Sequence, residues 1–273
     1  MSTLNHFDLT GEIAIITGGC GKLGSDYARA LLDAGARVAL IDVQPESASF
    51  LEADARRGGL LAVRADITDK AQVDAAFAAI LGKLGAPSIL INNGGIDVPP
   101  DAPITENGPF EDYPETSWDC VMRSHLRGAF LASQAFIRAV RAGGRDRASI
   151  INISSIYGLV SPDQSLYQYR RDRGEMFFKP VAYSVAKSGM LNLTRWLAEY
   201  GAPLGIRANT LVLGGVASGQ DETFIEEYGK RTMAGRLAQR GEYNGAVLFL
   251  ASYPHSSYMT GATLVLDGGW TAR

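Results

Sequence analysis

Cysteine is scarce: the 273 residues hold only Cys20 and Cys120, far apart and in no Cys-x-x-Cys pair. Neither a disulfide framework nor a zinc cluster is suggested, and no metal site is expected. Cys20 falls inside a glycine-rich loop and reads as a small filler there rather than a redox thiol. Neither sign of charge dominates. Lys and Arg number 26 against 29 Asp and Glu, a formal net charge of −3, which gives no basic footprint for nucleic acid or an anionic membrane. No apolar run approaches the ~18 residues that cross a bilayer. The opening MSTLNHFDLTGEI has neither a basic start nor an apolar core, so the expectation is a cytoplasmic protein without a membrane partner. Length alone allows one domain or two. The chain lacks any Gly/Ser linker, repeat or low-complexity tract, and a single domain is expected.

What is there begins with Glu12 to Asp42, EIAIITGGCGKLGSDYARALLDAGARVALID. An apolar run stops at a glycine cluster, a helix-period segment follows, and a second apolar run ends on one acid. This is the pattern of a βαβ unit with a dinucleotide fingerprint. Gly19, Gly21 and Gly24 stand at G-x-G-x-x-G spacing between strand and helix, where missing side chains let the backbone turn sharply and approach a pyrophosphate. The helix N-terminus then offers free N–H groups and the positive end of its dipole. Asp42 follows Gly24 by about 18 residues, where a carboxylate accepts from ribose hydroxyls and repels a 2′-phosphate. NAD is therefore expected over NADP.

Helix-period stretches and short β-branched runs alternate along the rest. Helices are predicted over Glu46 to Arg57, Lys70 to Leu84, Glu115 to Ala142, Ala182 to Tyr200 and Glu242 to Ala251. Strands are predicted over Leu60 to Arg64, Ser88 to Asn92, Ser149 to Ile153, Ile206 to Leu213 and Thr263 to Leu266. The alternation implies an α/β fold with a doubly wound parallel sheet. Val98 to Pro114, with its five prolines, is a surface loop. Ligands of such sheets bind beyond the carboxyl ends of the strands. The residues to weigh are therefore Asp66, Asn92 to Gly95, Ser154 to Tyr157 and Leu213 to Ser218.

Tyr183 and Lys187 lie four apart in Tyr-Ser-Val-Ala-Lys near a helix start, which places phenol and ammonium on one face. A cation beside a phenol favours the phenolate. Bringing a tyrosine from its ordinary pKa of about 10 to near 7 takes roughly 4 kcal/mol, which Lys187 and an oxidised nicotinamide can share. Such a tyrosine is a general base for a hydroxyl proton as hydride leaves the same carbon.

Six motifs occur in fixed order: TGGCGKLG, Asn92-Asn-Gly-Gly95, Ile151-Asn-Ile-Ser-Ser155, Tyr183 to Lys187, Arg207-Ala-Asn209 and Leu266-Asp-Gly-Gly269. Together they span nearly the whole chain, and the sequence resembles the short-chain dehydrogenase/reductase family. The resemblance implies a single-domain Rossmann fold with a seven-stranded parallel sheet and helices on both faces. It also implies a homotetramer or homodimer, and hydride transfer between a nicotinamide and an alcohol or carbonyl. Ser155 would hydrogen-bond the reacting oxygen, Tyr183 would be the acid/base, and Lys187 would hold the nicotinamide ribose while lowering the tyrosine pKa. Asp42 would bind the adenosine ribose and Asp66, with Ile67, would sit against adenine. Gly18, Gly21, Leu23 and Gly24 would form the phosphate loop. Asn92, Gly94, Gly214, Val216 and Ser218 would line the cofactor. Within the family the chain looks most like bacterial members linked to sugar metabolism and flagellin glycan modification.

Four departures matter. Lys22 stands where the family's common loop has glycine, so the spacing Gly18, Gly21, Gly24 resembles the extended branch; Lys22 either reaches a phosphate or points to solvent. His125 stands at the usual catalytic asparagine, either as a proton relay or as a packed helix residue. Asp163 to Pro180 is inserted between Ser155 and Tyr183, bringing Tyr167, Tyr169, Arg170, Arg171, Arg173 and Lys179. This is either a clamp for an anionic sugar or a solvated loop. Leu213-Gly214 replaces the usual Pro-Gly, and Gly219 to Ala238 suits a lid. The expected activity is NAD-dependent dehydrogenation of a polar sugar, sugar acid or polyol. Substrate contacts are expected from Ser155, Asp97, Tyr157, Tyr169, Arg170 and Gly215. The alternatives are a reductase of small ketones or oxo-acyl groups, and a catalytically quiet nucleotide-binding protein with an assembly or sensing role.

Overall fold

The computed structural model describes residues 7–46, 58–100 and 102–273. The frame consists of β1 Ile13–Thr17, β2 Arg37–Asp42, β3 Leu60–Arg64, β4 Ile89–Asn92, β5 Ala148–Ser155, β6 Ile206–Leu213 and β7 Thr263–Leu266. They make one sheet in the order β3-β2-β1-β4-β5-β6-β7, with every neighbouring pair parallel. Parallel pairs require crossovers, and helices supply most of them: α1 Lys22–Asp33, α2 Lys70–Leu84, α3 Glu115–Met122, α4 Gly128–Ala142, α5 Gln168–Asp172, α6 Val181–Gly201, α7 Glu222–Arg231, α8 Asn244–Ala251 and α9 Tyr253–Ser256. The result is a doubly wound Rossmann-type domain.

Every residue of β1, β4, β5 and β6 is buried, because helices cover both faces of the sheet and the strand runs need no polar alternation. The pleat still sorts side chains by parity. Ile13 and Ile15 pack with Phe77 and Ile80 of α2, Phe136 of α4 and Leu197 of α6. Ala14 and Ile16 pack on the other face with Tyr27 and Leu31 of α1 and Val247 and Leu250 of α8. A buried polar chain crosses the sheet centre: Asn92 Nδ2 donates to Asn152 Oδ1 (2.8 Å), Asn152 Nδ2 to Thr194 Oγ1 (2.8 Å), and the Thr210 hydroxyl to the same Thr194 oxygen (2.7 Å). Such groups are tolerated in a core when they are hydrogen-bonded; of this polar chain's side-chain atoms, Asn92 Oδ1 is left without a partner.

Three elements depart from the sequence reading. The predicted helix from Glu115 to Ala142 is interrupted at Arg123–Arg127 by a π-helical turn, a rare geometry found mostly at functional sites; His125 sits in it. The Gly219 to Ala238 segment contains a helix, α7, whose N-cap Asp221 accepts from the Thr223 N–H (2.9 Å). The insertion is likewise ordered, with a 3₁₀ turn at Gln164–Tyr167 capped by Asp163 and then α5. The helix predicted from Glu46 to Arg57 lies mostly outside the described residues.

Candidate active site

Strand order reverses between β1 and β4, and the crevice opens at their carboxyl ends, as the topology of open α/β sheets dictates. Thr17 stitches the two loops together: its hydroxyl accepts the N–H groups of Asn93 (3.1 Å) and Gly94 (3.0 Å), while Asn93 Nδ2 donates to the Gly18 carbonyl (3.0 Å). Gly18 has φ +60°, and a side chain there would lie 2.7 Å from Gly94 Cα. A Cβ on Gly24 would lie 2.3 Å from the Gly18 carbonyl oxygen, so glycine is what lets α1 begin against the turn. The loop is a cradle shaped by missing side chains, and its residues fit a dinucleotide pyrophosphate.

A cavity of about 780 Å³ runs from this loop to the start of α6, within the range of small-molecule sites. Gly18, Gly21, Lys22, Leu23, Asp42, Asp66, Ile67 and Gly94 line one part of it. His125, Asp97, Ser155, Tyr157, Tyr183, Lys187, Gly214, Gly215, Val216 and Ser218 line the rest. Asp42 is held ready at the end of β2, accepting from the Cys20 N–H (3.0 Å) and the Gln44 N–H (3.1 Å). Burial, then the Asp42 charge, pushes the Cys20 thiol up to about 11, which suits a filler and not a thiolate.

Ser155 ends β5, and its hydroxyl accepts the Tyr157 N–H (3.3 Å). Lys187 is buried, and its Nζ donates to the Ile153 carbonyl (3.0 Å) from a point 5.7 Å from the Tyr183 ring centroid. Burial lowers the Lys187 pKa to about 8, opposed by Asp97 and reinforced by Lys179. The Tyr183 phenol, half-buried on the cavity wall, is not lowered as its spacing from Lys187 implied: burial and Asp97 push it well above its ordinary value, with the Ser155 hydroxyl acting the other way. It is therefore a neutral phenol at pH 7.

His125 is buried, its Nε2 donating to the Ile96 carbonyl (2.9 Å) and its ring edge-on to Tyr183 at 5.6 Å. Burial first, then Lys187, holds its pKa well below the ordinary range, against the Ile96 bond. The imidazole is therefore neutral and its N–H donor is already used. The folded state resists a proton that the unfolded chain accepts at about pH 6.5, so His125 contributes nothing unfavourable above that pH and costs stability below it, about 1.4 kcal/mol one unit lower. Thermal unfolding at pH 7.5 and 5.5 should show a smaller acid loss for His125→Asn than for the parent; an equal loss would mean that the imidazole is not held neutral.

Some expected residues are placed elsewhere. Asn92 does not reach the cavity: it is buried, bonded to Asn152 and Ser133, and its neighbour Asn93 lines the site instead. In a strand covered on both faces the last residue is still core, and the chain opens only one position later. Gly24 stands behind the loop rather than on the cavity. Tyr169 and Arg170 turn away. Arg170 pairs with Glu175 (2.8 Å) and covers the Phe177 ring (3.8 Å), while Arg173 covers Tyr169 and pairs with Asp221 (3.0 Å). Arg171 is used on the Gln164 and Phe177 carbonyls (2.7 Å each). Tyr167 faces the cavity, but its hydroxyl meets that of Tyr157 (3.4 Å). Sequence reasoning missed Ile96, Ser124, Phe224, Tyr228 and Arg240 on the cavity wall, and placed Lys179 only in the loop. Lys179 stands four before Tyr183, a spacing that could have marked it. Phe224, Tyr228 and Trp270 join Tyr157 and Tyr167 in one apolar cluster, so the insertion, α7 and the C-terminal segment share a wall.

Among the described residues no group of His, Cys, Asp and Glu can hold a metal ion, and no helix is long and apolar enough to cross a membrane. Residues 22–271 match the family model described as enoyl-(acyl carrier protein) reductase. A D-arabinitol 2-dehydrogenase (ribulose-forming) of Scheffersomyces stipitis is 34% identical over 97% of this chain and 95% of that protein. The structure of a gluconate 5-dehydrogenase from Burkholderia cenocepacia J2315 in complex with NADP and tartrate is similar at TM-score 0.84 and 31% identity, covering 100% of both chains. A short-chain dehydrogenase from Leptospira borgpetersenii with bound NAD+ is similar at TM-score 0.85 and 33% identity, covering 99% of this chain and 98% of that one. With a dinucleotide cradle at one end of its cavity and a Ser-Tyr-Lys set at the other, the chain belongs to the short-chain dehydrogenase/reductase family of oxidoreductases.

Proposed function

We propose that the protein is an NAD-dependent dehydrogenase acting on a secondary alcohol or hemiacetal, or the matching ketone, of a polar sugar, sugar acid or polyol. The observation that carries this is the convergence of Ser155, Tyr183 and Lys187 on the cavity that also holds Asp42. In this reading Gly18, Gly21, Leu23 and the start of α1 bind the pyrophosphate. Asp42 accepts from the adenosine ribose hydroxyls, Asp66 and Ile67 border the base, and Gly94, Gly214, Val216 and Ser218 border the remainder. Arg64, paired in register with Asp42, meets Glu46 at the surface. A bound nicotinamide supplies or accepts the hydride. Ser155 holds the reacting oxygen, Tyr183 gives or takes its proton, and Lys187 stabilises the phenolate. His125 positions Tyr183 by packing.

The relatives that bear sugar and polyol names support the substrate class. So do Asp97 and Lys179, which line the cavity beside its aromatic wall and offer an acceptor and a donor to substrate hydroxyls. Trp196, 60% exposed and stacked on Tyr200 at 5.1 Å, is the face we assign to a cytoplasmic homodimer or homotetramer. The test is nicotinamide absorbance with NAD and NADP across sugars, sugar acids, polyols and small ketones. Turnover of polyhydroxylated substrates with NAD is expected. Turnover of ketoacyl compounds alone would favour the reductase, and cofactor binding without turnover of any alcohol or carbonyl would favour a binding protein.

A further inference from the structure

Three polar groups lie in line along one stretch: Lys179, Tyr183 and Lys187, each four residues after the last. Lys179 Nζ lies over the Tyr183 ring, 4.4 Å from its centroid, and Lys187 Nζ lies 5.7 Å from it. Lys179 is not a loose surface cation. Gln164 clamps its backbone twice, accepting its N–H (2.9 Å) and donating to its carbonyl (3.2 Å), and Pro180 then opens α6. Its side chain is only 12% exposed. Among the described residues the ammonium donates solely to Asp97, at 2.6 Å to one oxygen and similarly to the other. An ammonium has three N–H donors, so one carboxylate does not saturate it. Asp97 is itself 49% exposed and borders the same cavity, so its hold is open to exchange. Around the phenol two cations face this one acid, and His125 between them is neutral. That imbalance suits one further negative charge.

We propose that Lys179 is the specificity residue for a substrate carboxylate, which makes the preferred substrate a sugar acid rather than a neutral sugar or polyol. The proposal rests on the dehydrogenase reading above. With the reacting oxygen at Ser155 and Tyr183, a carboxylate a few carbons along the same chain meets Lys179, replacing Asp97 or sharing the ammonium with it, and Asp97 is left to accept from a substrate hydroxyl. The arginines of the insertion are used elsewhere, so the anion contact falls to this lysine.

The test compares matched pairs, D-gluconate with D-glucitol and D-mannonate with D-mannitol, by steady-state kinetics with NAD and by titration of the NADH-loaded protein. The parent should prefer the acid of a pair by kcat/KM. Lys179→Gln should shrink that preference about 10- to 100-fold, the size of a charge-assisted contact, chiefly through KM; Lys179→Arg should restore most of it. Asp97→Asn should tighten acid binding relative to the polyol. An equal loss on both members of each pair in Lys179→Gln would assign the lysine to structure alone and overturn the proposal. Turnover of the polyols without preference for the acids would overturn it while the dehydrogenase reading stands. Failure to bind or turn over either class would overturn the proposal, and the dehydrogenase reading falls with it only if no alcohol or carbonyl of the wider panel is turned over.

Discussion

Replacing Tyr183 with phenylalanine lowers turnover about a thousandfold in both directions, within the usual range for a positioned acid or base, while NADH affinity changes by no more than a few-fold. The ring is enclosed between the Lys179 ammonium and the His125 edge. Phenylalanine keeps that packing and removes only the oxygen. Single-turnover rates and a separate NADH titration check the split: a matching loss of cofactor affinity, or preserved turnover, would remove Tyr183 from the chemistry. The parent's pH dependence follows from the same group. Burial holds the phenol neutral in the free enzyme, so reduction, which needs a proton donor, should be sustained at neutral pH. Oxidation needs the phenolate and should rise with pH, helped as the positive nicotinamide adds to the Lys187 charge. Lys187, lowered to about 8, loses that charge on the alkaline side in the free enzyme, so its stabilisation of the phenolate declines there. Oxidation that fell as pH rose from 6 to 8 would contradict this order of charges.

Replacing Asp42 with serine shifts the ratio of NADH to NADPH affinity by about 100-fold toward NADPH. Two effects add. The carboxylate's bonds to ribose hydroxyls are worth about 1.5–3 kcal/mol as hydrogen bonds to a charged group. The repulsion of a 2′-phosphate beside it, of similar size or larger, disappears with the charge. Each 1.4 kcal/mol is a factor of ten, and the lower ends of the two sum to about 3 kcal/mol. Asp42→Asn separates them, since it keeps an acceptor and removes only the charge. Because Asp42 also accepts the Cys20 N–H, thermal unfolding of the variants shows whether the loop still folds. A parent without preference for NADH, or an unchanged ratio in Asp42→Ser, would refute the role.

Local patterning carried most of the architecture. The βαβ start, the order of strands and helices and the glycine cradle are periodicity and steric effects that act within about thirty residues, and they appear in the fold where the residues implied them. The bounds of α2, β3, β6 and β7 agree with the reading to the residue. The residues proposed for the chemistry, Ser155, Tyr183 and Lys187, stand on elements whose ends are set by the same local rules.

What sequence alone did not determine are the places where a residue's surroundings come from distant segments. Asn92 and Asn93 are adjacent and chemically identical, yet one bonds across the sheet to Asn152 and the other faces the cavity, because β4 is covered on both faces up to its last residue. His125 lies in a π turn whose polar partner, the Ile96 carbonyl, is 29 residues away. The four cations of the insertion are equivalent in composition and separate only in space: Arg170, Arg171 and Arg173 bind within the insertion and at the start of α7, and Lys179 alone is clamped over Tyr183. Periodicity assigns a side chain to a face of its own element. Which charge or carbonyl waits on that face is decided when the sheet, the insertion and α7 pack together, and that sets the burial and the proton affinities on which the chemistry depends.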